Sequence, residues 1–159
     1  MTRTKVTLAE RGLDSWIIHT EDCDNGSRQS FTAKALVNAG GPWVENIIKN
    51  TARINSTDGL RLVRGSHIVT RKLYDHDRCY FFQGTDGRIC FAIPYEGAFT
   101  LIGTTDVDHD DPDELPVCSP EEQAYLLEFA STFFKQKVSD EDIVWSYAGV
   151  RPLYNDGAD

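Results

Sequence analysis

The sequence predicts an α+β (α/β) architecture: a mainly antiparallel sheet with two helices. Two observations carry this reading. Runs of β-branched and aromatic residues follow one another with only short turn segments between them, at 60–72, 78–83, 88–94 and 99–105. Strands so closely linked pair antiparallel, because parallel neighbours need a long crossover. Helical spacing of apolar residues occurs at just two places, after Pro42 and after Pro120.

Taken in order, residues 3–8 and 15–20 alternate as strands. Asp24-Asn25-Gly26-Ser27 is a turn in which Asn-Gly suits positive φ. Residues 29–34 return as a third strand, so the chain opens on a small, largely polar β-meander. A domain seldom begins in the middle of a strand, so the N-terminus reads as cut. Residues 35–39 (ALVNA) are expected to form a short buried strand. Gly40 and Gly41 follow, and Pro42 suits a first helical position. Trp43, Val44, Ile47 and Ile48 then make a helical stripe. Strand, glycines and helix start can present bare backbone N–H groups to a phosphate. The segment is not G-x-G-x-x-G and no βαβ unit surrounds it, so a plain strand-to-helix corner is the simpler account.

Residues 50–59 form a polar connector. The strand at 60–72 is interrupted by Gly65-Ser66, a pattern that marks a bulge or a close backbone approach, and His67 sits directly after it. Arg61, Arg64, Arg71, Lys72, Arg78 and Arg88 make this region basic, either as solvated strand faces or as a funnel for an anion. Residues 78–94 form a hairpin in which a two-residue turn at Asp86-Gly87 would pair Cys90 with Gln83. Tyr95 to Ala98 is a second turn.

The acidic loop at 106–114 (DVDHDDPDE) has Asp106, Asp108 and Asp110 in 1-3-5 spacing. It fails as a calcium loop: position 6 is Asp111 instead of glycine, and position 12 is Val117 instead of glutamate. Ser119-Pro120-Glu121-Glu122 is a capping box, and Leu126, Leu127, Ala130, Phe133 and Phe134 run a helix to about residue 135. The stretch Asp142 to Leu153 is β-rich, breaks at Gly149 and presents Arg151 before Pro152. Pro152 holds Arg151 extended, as a planar fork suited to a carboxylate or phosphate. A surface arginine paired with one of the many carboxylates is the simpler alternative.

The whole composition narrows the partners. Over 159 residues, 16 Lys+Arg against 25 Asp+Glu give a net charge of -9, which argues against nucleic acid or an anionic membrane surface. There is no run of 18 apolar residues to span a bilayer, and the start lacks the apolar core of a signal peptide. Cys23, Cys79, Cys90 and Cys118 include no C-x-x-C pair, so zinc and thioredoxin chemistry have no support. They read as reduced thiols of an intracellular protein.

Four blocks taken together are specific: ALVNAGGPW at 35–43, LRLVRGSHIV at 60–69, FTLIGTTDVDHDD at 99–111 and DIVWSYAGVRPL at 142–153. In order and interval they resemble the FAD-dependent (aerobic-type) glycerol-3-phosphate dehydrogenases. The match covers essentially the whole chain and about the middle third of such an enzyme. The resemblance implies the substrate-domain part of a D-amino-acid-oxidase-like flavoprotein, with 1–41 belonging to the FAD-binding domain and 42–159 to a substrate-binding domain truncated at both ends.

It further implies roles residue by residue. Arg151 matches the arginine of G-V-R-P-L that grips the substrate phosphate. His67 matches the histidine of G-S-H and becomes the catalytic proton acceptor. Thr104 and Thr105 match the G-T-T-D strand end lining the same pocket. Ala39, Gly40 and Gly41 match the stretch passing close to FAD; the family usually reads A-T-G there, so this chain lacks one threonine hydroxyl. The implied reaction oxidises sn-glycerol 3-phosphate to dihydroxyacetone phosphate, with hydride going to FAD and electrons to quinone, or to oxygen as in glycerophosphate oxidases. No metal is implied. The isolated stretch is expected to be inactive and not to retain FAD. Membrane association is expected only through parts absent here, with a cytoplasmic or peripheral membrane location and a possible homodimer. Alternatives are another oxidase of the superfamily and a non-catalytic binding module.

Overall fold

The computed structural model describes residues 1–57 and 59–155. The described chain packs as two compact units, one comprising Met1–Leu60 with the stretch from Tyr154 onward, the other Arg61–Leu153. This division falls later in the chain than the boundary expected at residue 41. Asp58, in the expected connector, lies outside the described residues.

In the first unit, β1 (Thr4–Arg11), β2 (Trp16–Asp22) and β3 (Arg28–Ala33) form an antiparallel meander in that order. Its second turn closes as the residue types dictate. The Asp22 carboxylate accepts from the Asp24 and Asn25 amides at 2.9 and 3.1 Å, and Gly26 takes φ +72°, the Asx-turn chemistry of such residues.

The expected buried strand at 35–39 does not form. No described segment pairs with it, and Val37 is 84% exposed; apolar residues alone do not make a strand without a ladder partner. The helical stretch after it begins at Gly41 and mixes geometries: a 3₁₀ turn at Gly41–Trp43, α1 (Val44–Asn46), then a π turn at Ile47–Thr51.

The second unit is one sheet carrying one long helix. β4 (Gly59–Arg71), β5 (Tyr80–Gln83), β6 (Ile89–Tyr95), β7 (Phe99–Gly103) and β8 (Val107–Asp108) are ordered β5-β6-β7-β4-β8, and β9 (Ile143–Asn155) pairs with β4. Pairing is antiparallel between β5 and β6, β6 and β7, β7 and β4, and β4 and β8. α2 (Pro120–Phe133) covers one face. Ile68, Cys90, Ala92 and Ile102 from the sheet meet Leu126, Leu127, Phe129 and Ala130 from the helix in one core. Strand periodicity fixes this: alternate residues of β6 are buried, while Ile89, Phe91 and Ile93 between them remain partly exposed on the opposite face.

The hairpin register differs by one residue from the sequence expectation. Gln83 pairs with Ile89 and Phe82 with Cys90. The loop spans 84–88, closed by the Gly84 amide donating to the Arg88 carbonyl at 2.8 Å. Pairing Gln83 with Cys90 would have put Gln83 on the core face in place of Phe82. Phe82 instead stacks on Phe133 with ring centroids 4.4 Å apart. The four cysteines are free thiols, Cys23 and Cys79 exposed, Cys90 and Cys118 buried.

α2 starts where the capping box predicts. Ser119 Oγ accepts from the Glu122 amide at 3.2 Å, and the Glu122 carboxylate accepts from the Ser119 amide at 3.1 Å. Within the acidic loop, β8 adds a two-residue ladder against Val63 and Arg64. Asp106 and Asp108 pair with Arg151 and Arg61.

Candidate active site

The second unit gathers four of the sequence-predicted residues around one backbone position, Gly65 of β4. The strand is not broken there; Gly65 is a point of close approach. A Cβ on it would lie 2.3 Å from Thr104 Oγ1 and 3.1 Å from Arg151 Nη2. Only glycine lets the end of β7 and the side chain from β9 close on β4 here.

His67 sits two residues further along β4, directly opposite Gly103 of β7. A Cβ on Gly103 would fall 2.1 Å from the imidazole Cδ2, so the missing side chain is what lets the ring lie across the neighbouring strand. The imidazole also stacks on Tyr147 of β9, with centroids 4.9 Å apart and planes 3° from parallel. His67 Nδ1 is buried with no hydrogen-bond partner among the described residues, which leaves Nε2 as the nitrogen able to meet a ligand. Burial, and then the Arg151 charge, hold the imidazole below its ordinary pKa of 6.5, outweighing the Gly65 backbone contact that acts the other way. A histidine held in that direction is neutral at pH 7 and able to accept a proton.

Arg151 is anchored by one end of its fork. Nη2 donates to the Thr105 carbonyl at 3.0 Å and to Asp106 Oδ1 at 2.7 Å. Its Nε is buried and has no hydrogen-bond partner among the described residues.

Thr104 and Thr105 divide their work. Thr104 Oγ1 lies against Gly65 and donates to the Thr105 carbonyl at 3.0 Å. The Thr105 side chain is buried, accepts from the Ser66 amide at 2.9 Å and donates to Glu122 at 2.7 Å. Thr105 therefore meets Arg151 through its carbonyl, while its hydroxyl serves the network beneath.

That network centres on Glu122, 6% exposed. One carboxylate oxygen accepts from Ser66 Oγ at 2.8 Å and from Thr105; the other accepts from the Ser119 amide and faces Arg64 Nη2 at 3.1 Å. Burial pushes the carboxyl up, but the Thr105, Ser119 and Ser66 hydrogen bonds and the Arg64 charge together leave it below its ordinary 4.5. Ser66 adjoins His67 and Thr105 adjoins Thr104. One buried anion thus ties together the two strand segments that carry the candidate site.

Sequence reasoning passed over Glu122, Asp106 and Tyr147. Glu122 was legible as the capping-box acid, though not as an acceptor from the sheet. Asp106 completes the G-T-T-D run but reads as part of an acidic loop.

In the first unit, Ala39, Gly40 and Gly41 lead into the 3₁₀ turn. Ala39 is exposed, Gly41 takes φ +54°, and the space where its Cβ would stand is empty. A Cβ on Gly40 would meet Ile47 Cδ1 at 2.3 Å.

The second unit thus carries α2 against its sheet and brings His67, Thr104, Thr105 and Arg151 together about Gly65. The FAD dependent oxidoreductase family (DAO) matches residues 1–159, and the chain belongs to it. Over 159 residues it is 46% identical to the glycerol-3-phosphate dehydrogenase of Pseudomonas aeruginosa, covering 99% of this chain and 31% of that protein. It is 40% identical over 157 residues to the D-erythritol 1-phosphate dehydrogenase of Brucella abortus, covering 99% of this chain and 31% of that one. Among solved structures, the glycerol-3-phosphate dehydrogenase of Bacillus halodurans complexed with FAD superposes with a TM-score of 0.80 at 29% identity, covering 99% of this chain and 32% of that chain. The chain therefore spans about a third of the length of the curated relatives it matches.

Proposed function

We propose that this chain supplies the substrate-side wall of a flavoenzyme that oxidises sn-glycerol 3-phosphate to dihydroxyacetone phosphate and passes the electrons to quinone. The observation that carries the reading is the pairing at Gly65: a guanidinium for the phosphate, beside an imidazole kept unprotonated in part by that same positive charge. FAD, when bound, supplies the hydride acceptor. Ala39, Gly40 and Gly41 would hold it in this chain: Ala39 is exposed and nothing stands where a Gly41 Cβ would lie, while Gly40 packs against Ile47 on the side where a Cβ would stand.

The chain's own residues do the positioning and the proton chemistry. Arg151 binds the phosphate and so fixes where the secondary alcohol lies. His67 takes the hydroxyl proton on Nε2 as the C–H bond breaks. Tyr147 stacks on the imidazole, and Gly103, lacking a side chain, leaves the ring its place beside β7. Thr104 offers its hydroxyl next to the fork.

A second substrate has specific support, since one relative acts on D-erythritol 1-phosphate, also a polyol phosphate monoester. The test is anaerobic mixing of the intact protein with each phosphate, following flavin bleaching. The reading expects faster bleaching with glycerol 3-phosphate than with D-erythritol 1-phosphate. The reverse order would reassign the substrate, and bleaching by neither would refute the function. Reoxidation by a soluble quinone but not by oxygen supports the dehydrogenase form over an oxidase.

A further inference from the structure

We propose that Asp106 is a built-in stand-in for the substrate phosphate, which caps Arg151 in the unliganded protein and is displaced when a phosphate monoester binds. The inference rests on the reading of Arg151 as the phosphate ligand and adds a residue to it. A guanidinium carries five N–H donors, two of them on Nη2. Both Nη2 donors are in use, one on the Thr105 carbonyl at 3.0 Å and one on Asp106 Oδ1 at 2.7 Å. A two-point grip on phosphate uses either the edge shared by Nη1 and Nη2 or the edge shared by Nε and Nη2. Each edge requires an Nη2 hydrogen, so neither is open as the residues stand.

One of the two acceptors must therefore leave. The Thr105 carbonyl is fixed by its chain: the Thr105 amide donates to the Ser66 carbonyl at 3.3 Å, and its hydroxyl is tied to Ser66 and Glu122. Asp106 is a side chain, 58% exposed, free to turn toward water. Its departure releases one Nη2 hydrogen and, with it, one edge of the fork, while the Thr105 carbonyl keeps the other hydrogen. The buried Nε, without a partner among the described residues, gains one if the phosphate takes the Nε–Nη2 edge.

The consequence is opposite in sign to that of an ordinary supporting carboxylate. If Asp106 only oriented Arg151, removing it would weaken phosphate binding. If Asp106 competes, removing it tightens binding. Exposed ion pairs of this kind contribute up to about 1 kcal/mol, equivalent to roughly fivefold, and a displaced carboxylate left near a phosphate adds repulsion. The expected tightening is about 3- to 10-fold.

Calorimetric titration of the intact protein with inorganic phosphate and with glycerol 3-phosphate tests this, using Asp106→Asn and Asp106→Ala. The expected result is tighter binding of both ligands by both variants, and no such tightening from either Asp106 substitution in an Arg151→Met background, where binding is already weakened. Unchanged or weaker binding in the Asp106 variants overturns the stand-in role. Arg151→Met that leaves phosphate affinity untouched in otherwise wild-type protein overturns the phosphate reading of Arg151 itself, a separate failure read from a separate variant.

Discussion

Replacing Glu122 by glutamine should loosen the candidate site from below, by an amount the contacts define. The carboxylate is 6% exposed and holds three hydrogen bonds and an ion pair with Arg64, whose side chain is 23% exposed. The oxygen facing the Ser119 amide and Arg64 meets only donors, so the amide oxygen of glutamine must take that position. Its NH₂ then faces two hydroxyls that had been donating. Ser66 can turn to accept, but Thr105 Oγ1 already accepts from the Ser66 amide, and a buried hydroxyl hydrogen is left without a partner. Loss of charge assistance with one stranded donor comes to about 2–4 kcal/mol. Glu122→Ala, which strands Arg64 as well, should cost about 3–5 kcal/mol. Native-state hydrogen exchange is the assay, because it reads opening free energies residue by residue; the amides of Ser66, Thr105 and the first turn of α2 should lose that protection. The pH dependence has a fixed sign. The folded carboxyl lies below 4.5, so its contribution is full above the unfolded value and fades as pH falls through the lowered folded one. The gap between wild type and Glu122→Gln should therefore narrow below about pH 4.5. A gap under about 0.5 kcal/mol at pH 7, the level of an ordinary surface substitution, or one that is flat with pH, would refute the network.

Two further outcomes follow from the fork and the ring. Arg151→Lys keeps the charge but loses the planar pair of donors, and a charge-assisted hydrogen bond contributes about 1.5–3 kcal/mol. kcat/KM on glycerol 3-phosphate should fall roughly 10- to 150-fold, with a much smaller loss on glycerol; equal proportional losses would remove Arg151 from phosphate binding. His67→Gln should slow single-turnover flavin reduction by about 10²–10⁴-fold, and an unchanged rate across pH would make His67 a packing residue.

The parts of the fold legible in the sequence are those set by local chemistry. The capping box starts α2 at Pro120, Asn25-Gly26 turns the meander, and the alternation of β6 separates Cys90 and Ala92 from Phe91 and Ile93. What escaped depends on partners distant in sequence. Residues 35–39 have strand composition and no ladder. The hairpin register is settled by Phe82 meeting Phe133, a contact no turn residue announces. At the candidate site, Gly65, His67, Thr104 and Arg151 were legible as residue types in motifs. The resemblance brought them to one substrate pocket, but the residue-level contacts at Gly65 were not legible. Glu122 was invisible as a site residue because its capping role already accounted for it; only the sheet register brings Ser66 and Thr105 to the same carboxylate.

Arg151 and His67 are coupled, and the coupling gives the proton acceptor a dependence on bound phosphate. In the unliganded protein, burial and then the Arg151 charge hold the imidazole below 6.5. Asp106 already offsets part of that charge from 2.7 Å. A phosphate near neutral pH carries about -1.5 to -2, so exchanging the carboxylate for phosphate puts more negative charge at the guanidinium. The imidazolium is then penalised less, and the His67 pKa must rise on binding, while burial continues to hold it down. The histidine becomes a stronger base when there is a hydroxyl proton to take. An NMR titration of the His67 ring, assigned by its loss in His67→Gln, should show a higher pKa with saturating inorganic phosphate than without. The shift should vanish in Arg151→Met, which should also raise the pKa of the unliganded protein by removing the cation. A downward shift, or an equal one in Arg151→Met, would mean that phosphate binds elsewhere and that the two side chains are neighbours without electrostatic linkage.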